Sequence, residues 1–232
     1  VKDISDWKKL QEVRLGLEVN VEVSVYAKKD FSVEQMKEIR KGLEKNLDVS
    51  IYAKPEYNFK KMAEIRKSLI KKEHIPSFVF EKDLNEEQIK EVRKGFKNNV
   101  DIFLYAKEEF DYKQMEQIRL GLESNVDVLI YAKSDFTAYQ MDEIRKGLEN
   151  NVDVSIYAKP YFNKKQMREI RWGLEDNLNV LIYAKPEYSW NQMWQIREGL
   201  KANIDVSIYA KSDFYWKKME QIRFELLQKK YT

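Results

Sequence analysis

Cysteine is absent from this chain of 232 residues, and histidine occurs once, at His74. The first absence excludes a disulfide framework and thiolate chemistry. The second leaves one histidine in the irregular stretch KKEHIPSF, at 71–78, with no placed partner to make it a general base; it reads as a surface residue in a turn. No apolar run approaches the 18 or so residues of a membrane-spanning helix, and the first residues carry no signal-peptide core. Charge of one sign is also lacking. Lys plus Arg is 42 against Asp plus Glu 39, a net of +3, which gives no strong global pull towards nucleic acid or an anionic membrane. A Gly-rich phosphate loop, a nucleophile elbow and zinc-ligand spacing are all missing. These absences leave no catalytic residue, metal site or cofactor to assign. The expectation is a non-enzymatic protein in a cytoplasmic setting.

What the chain does have is a period. Arg14, Arg40 and Arg66 are 26 residues apart, Arg93 follows after 27, and Arg119, Arg145, Arg171, Arg197 and Arg223 resume the step of 26. All seven glycines fall two residues after one of these arginines, and all seven methionines fall four before one. Such a period marks a stacked array in which each unit buries its apolar face against its neighbours.

One unit shows how the pattern folds locally. Ser32 is a helix N-cap, Gln35 completes a capping box, and Phe31 with Met36 forms a hydrophobic staple. The caps recur at Asp6, Asn58, Asn85, Asp111, Thr137, Asn163 and Ser189, and staple residues at Tyr57, Leu84, Phe110, Phe136, Phe162, Tyr188 and Phe214. Met36, Ile39 and Leu43 make one apolar stripe, and Asn46 ends the helix as a residue that tolerates the left-handed conformation. In LDVSIYA, Leu47, Val49 and Ile51 alternate with Asp48, Ser50 and Tyr52, which reads as a half-buried strand.

Repeated along the chain, this gives an α/β fold of nine helices with eight parallel strands between them. The alternation argues against a doubly wound sheet. Inward aspartates (Asp48, Asp101, Asp127, Asp153, Asp205) argue against a closed barrel. The remaining arrangement is an open, horseshoe-like solenoid with helices outside and an eight-stranded sheet inside. Each glycine is expected to let the neighbouring helix approach, and each arginine to cover that contact with its alkyl stem. The third unit is irregular: Ser68 replaces glycine, Val79 replaces tyrosine, Glu81 replaces lysine, one residue is inserted, and Pro76 falls in the strand. It divides the chain into an arm of three repeats, 1–84, and an arm of six, 85–232. A drifted repeat that kinks the array and a deliberate bend or partner contact are both open readings of it.

The repeats QMEQIRLGLESNVDVLIYAKSDF and QMREIRWGLEDNLNVLIYAKPEY resemble a repeat carried by proteins of Gram-positive bacteria and their phages and mobile elements, of the form QM-x-x-IR-x-GLE…DVS-x-YAKPEF. The resemblance covers essentially the whole chain and is weakest in the third unit. It implies an intracellular bacterial or phage context, with an anti-defence or replication-associated role, and supplies no catalytic residue.

Candidate binding residues come from variation within the array. The serine column Ser24, Ser50, Ser77, Ser155 and Ser207 gives way to Phe103, Leu129 and Leu181. With Tyr105, Tyr131 and Tyr183 of the tyrosine column, these would form apolar patches on a free sheet face and bind a protein partner. Trp172, Trp190, Trp194 and Trp216 crowd into the last three helices, where an interface and a C-terminal cap are competing readings. Inhibition of a host or phage enzyme by occlusion would follow from the context the resemblance implies. The alternative is single-stranded nucleic acid or nucleotide binding along a Tyr/Lys edge: Tyr131, Tyr157 and Tyr183 stacking on bases, Lys133, Lys159 and Lys185 holding phosphates. Acidic residues close by, such as Asp135 and Glu187, weaken that reading.

Overall fold

A computed structural model describes residues 6–71, 79 and 82–231; His74, Pro76, Ser77 and Glu81 lie outside the described residues. The elements alternate between α-helices and single turns of 3-10 helix. The helices are α1 (Trp7–Glu18), α2 (Val33–Leu43), α3 (Phe59–Lys71), α4 (Glu86–Lys97), α5 (Tyr112–Glu123), α6 (Ala138–Glu149), α7 (Lys164–Glu175), α8 (Trp190–Lys201) and α9 (Trp216–Tyr231). The 3-10 turns are Val23–Val25, Val49–Ile51, Ile102–Leu104, Val128–Ile130, Val154–Ile156, Val180–Ile182 and Val206–Ile208. No strand occurs among the described residues, so the α/β class and the eight-stranded parallel sheet are corrected to an all-helical array.

The expected helix ends are where the sequence puts them. Asp6, Ser32, Asn58, Asn85, Asp111, Thr137, Asn163 and Ser189 each accept a backbone N–H of the first helical turn. At the other end Asn46 takes φ 53°, and its homologues Asn20, Asn99, Asn125, Asn151, Asn177 and Asn203 are likewise left-handed. The amide of Leu47 then donates to Gly42 O at 3.1 Å and that of Asn46 to Leu43 O at 2.9 Å, the two bonds of a Schellman motif.

The strand reading fails for a local reason. The Asp48 carboxylate accepts from the amide of Ser50 at 3.0 Å, and the Tyr52 amide donates to Val49 O at 3.0 Å. Both bonds close the chain on itself and remove donors that a sheet ladder would need. Here Val49, Ile51 and Tyr52 are buried, and in later turns only the first residue and the tyrosine, Val128 with Tyr131 and Val154 with Tyr157, spaced i, i+3, which is the 3-10 repeat and not the strand repeat. In six residues the two periods share enough apolar positions to be confused.

The tyrosine of each turn locks it to its own helix. Tyr52 Oη donates to Glu38 O at 3.1 Å, and Tyr26, Tyr105, Tyr131, Tyr157, Tyr183 and Tyr209 repeat the bond fourteen residues back. This is what the glycines are for. A Cβ on Gly42 would lie 1.8 Å from Tyr52 Oη, and one on Gly147 1.9 Å from Tyr157 Oη. The close neighbour of each glycine is therefore its own repeat's tyrosine, a correction to the expected approach of the next helix.

The chain forms two compact units, 1–108 and 109–232; the expected division after residue 84 lies inside the first. Within each unit, consecutive repeats are joined by two polar devices. The capping-box glutamine works twice. Gln140 Oε1 accepts the Thr137 amide at 2.8 Å, while its Nε2 donates to Pro160 O and Phe162 O of the next repeat, at 3.0 and 2.8 Å. Gln35, Gln166 and Gln192 make the same pair of inter-repeat bonds. The arginine reaches back 28 residues: Arg40 to Glu12, Arg66 to Glu38, Arg171 to Glu143 and Arg197 to Glu169 as ion pairs. Arg145 reaches Gln117, and Arg223 reaches Gln195, as neutral hydrogen bonds. The guanidinium, and not only the alkyl stem, carries the contact.

Candidate protein-interaction surface

Because each turn is tied to its own helix and each helix packs on the next, the turns of the second unit form a row: Val128–Ile130, Val154–Ile156, Val180–Ile182 and Val206–Ile208. The middle residue of each turn points away from the tyrosine and the core. Those residues are Leu129, Ser155, Leu181 and Ser207, and both leucines are 64 % exposed. The serines use the outward position to hydrogen-bond the capping aspartate, Ser155 Oγ to Asp153 and Ser207 Oγ to Asp205, each at 2.6 Å. The leucines have no such bond to make.

The capping residue two positions earlier is exposed as well. Asp127, Asp153 and Asp205 line the row, with Asn179 in the fourth place. The three aspartates accept the amide of their turn and, where present, the serine hydroxyl, whereas the Asn179 side chain makes no cap bond. Hydrogen bonds from Ser207 hold the Asp205 carboxyl below the usual range. None of the three aspartates takes part in an ion pair. In the first unit Asp101, which burial pushes up, has Lys54 at 3.9 Å.

The tyrosines named from the sequence are elsewhere. Tyr105, Tyr131, Tyr157 and Tyr183 are 0 % exposed, which corrects their assignment to a free face for both the protein-binding and the nucleic-acid readings. Phe103 is half-buried and meets the Tyr57 ring edge-on at 6.4 Å, so a residue of the second repeat touches the fourth. Lys133, Lys159 and Lys185 are exposed.

The tryptophans do not gather into a patch. Among the described residues no ring pair joins any two of them. Trp172 lies under Arg197 at 5.3 Å, beside Arg168 and Arg171, and shelters the buried Arg197–Glu169 pair. Trp190 has Lys165 over its ring at 4.3 Å. Trp194 is half-buried, and Trp216 packs on Tyr215 beside an open groove of 520 Å³ between α8 and α9. A second open groove, of 460 Å³, lies between α5 and α6, with Tyr112 and Tyr139 on its walls; Asp142 there is committed to Arg145 and Lys146. No group of three or more metal-ligating side chains occurs among the described residues, and no described helix is long and apolar enough to cross a membrane.

Two facts went unread in the sequence. The aspartate column caps the turns, a role that the D-x-S spacing signals as an Asx or Ser/Thr turn. The glutamine column staples adjacent repeats. What fold and surface define is an all-helical repeat array whose turn row in the second unit carries a pair of exposed leucines in a serine column. Scans against protein-family models, curated proteins and solved structures each return no match.

Proposed function

We propose that this chain is a non-enzymatic binding protein that takes a protein partner on the turn row of its second unit, with Leu129 and Leu181 as anchors. The observation that carries this is the exposure of two leucines at a position where the same array elsewhere holds serine. Folding gains little from a leucine 64 % exposed, and exposed apolar side chains are what partner surfaces present. The mode of action is occlusion of the partner's surface, in the bacterial or phage setting that the repeat resemblance implies. The nucleic-acid alternative loses support, because its stacking rings are sealed in the core and Asp135 and Glu187 stand two residues from Lys133 and Lys185.

The test is capture from nuclease-treated bacterial lysate in about 0.15 M salt, comparing the wild-type chain with a Leu129→Ser, Leu181→Ser pair. Serine is what neighbouring turns already carry, so the variant keeps the fold. A protein held by the wild type and lost by the variant supports the reading. Equal capture by both, or capture that nuclease abolishes, overturns it.

A further inference from the structure

The leucines alternate with serines along four consecutive turns, and the same turns carry Asp127, Asp153, Asn179 and Asp205 at their caps. Helices stack about 8–10 Å apart, so Leu129 and Leu181, two repeats apart, are separated by roughly 16–20 Å. Between and beside them run three exposed carboxylates that accept hydrogen bonds from backbone amides and serine hydroxyls of their own turns. The arrangement is two apolar anchors set in an acidic strip.

We propose that this strip binds a basic polypeptide segment, with two apolar side chains about three helical turns apart, roughly 16 Å along a helix, and lysine or arginine residues beside them. The proposal rests on the protein-binding reading above and deepens it by naming the partner's chemistry. Carboxylates capping the turns are held in place by their backbone bonds, so they present fixed charge without losing side-chain freedom on binding. A partner of opposite charge gains encounter rate and orientation from them, and its apolar residues gain burial on the leucines. A phosphate backbone or an acidic segment is repelled by the same strip.

The array supplies its own conservative substitutions. Asn179 stands where the other turns have aspartate, so Asp127→Asn, Asp153→Asn and Asp205→Asn together remove charge at positions that accept asparagine. The probes are three synthetic helical peptides: one lysine-rich with two leucines three turns apart, one with glutamate in place of lysine, and one with serine in place of leucine. Binding is read by fluorescence anisotropy at about 0.05 and 0.3 M salt. The expected result is that only the lysine–leucine peptide binds. The triple asparagine variant should then weaken it about tenfold and flatten its salt dependence. The Leu129→Ser, Leu181→Ser pair should weaken it about tenfold at both salt concentrations. Equal binding of lysine and glutamate peptides, an unaffected asparagine variant, or no binding by any peptide overturns the basic partner. If the serine pair still loses its lysate partner in those cases, the protein-binding reading survives. If the serine pair behaves as wild type with lysate and peptides alike, both fall.

Discussion

At the scale of single residues, the array is held by pairs that recur in step. Glycine and tyrosine are one such pair, and the repeats without the tyrosine show their dependence: Ser68 precedes Val79 in the third, and Glu225 lies in the last helix, which no tyrosine turn follows. Gly147→Ala should therefore destabilise the chain by about 2 kcal/mol, although alanine is the better helix former. Tyr157→Phe alone should cost about 1 kcal/mol, and the double variant less than the sum, because the hydroxyl that meets the new methyl is gone. Urea unfolding of the three variants measures this, and strict additivity would refute the pairing. The buried acid at the repeat contact follows a second rule. Glu143, at 1 % exposure, faces both Arg168 and Arg171. Gln117 and Gln195 are neutral where the residue equivalent to Arg168 is acidic, Asp142 and Glu220. Glu143→Gln leaves two arginines short of one carboxylate and should cost about 3 kcal/mol, visible as a lower urea midpoint. Both rules were present in the sequence as columns, but a column shows only that residues recur, and not which of them touch.

At the scale of elements, the helices were fully legible and the segments between them were not. Caps and the left-handed asparagines are local signals, decided within four or five residues, and every described one appears as expected. The short segment DVSIYA was misread because its β-branched alternation is real while its hydrogen bonding is decided by Asp48 and Tyr52. The glutamine at the third helical position links one element to the next, because an amide can accept from its own cap and donate onward. Gln140→Glu keeps the acceptor for the Thr137 amide and loses both donors to Pro160 and Phe162. It also sets a carboxylate against two carbonyl oxygens. The expected loss is about 2–3 kcal/mol at neutral pH, partly recovered on acidification as the new carboxyl gains a proton. Thermal melts at pH 7 and about pH 4 test it; a variant as stable as the wild type at pH 7 would mean that the onward bonds contribute nothing.

At the scale of the whole molecule, the period announced a stacked array and its departures announced where the array differs from itself. The leucines of the turn row were found from the sequence as exceptions in a serine column. The tyrosines grouped with them were misplaced, since regularity marks what every repeat needs, which here is a core residue. That core makes the chain sensitive to alkali. Burial pushes Tyr26 up to about 12, against the pull of Arg40. Burial raises Tyr52, Tyr131, Tyr157, Tyr183 and Tyr209 as well, in each case opposed by the neighbouring arginine. A folded pKa above the unfolded one means stability that is complete below about pH 10 and is lost as pH rises towards the folded value. Each such tyrosine withdraws about 1.4 kcal/mol per pH unit above 10, and because the residues recur in successive repeats the losses add within one array. The helices should melt in one steep step above pH 10, with a jump in tyrosinate absorbance at the same pH. Tyrosinate that instead accumulates gradually while helicity holds would show that the hydroxyls reach solvent in the folded state, and that the bond from tyrosine to the helix carbonyl does not lock the turns in place.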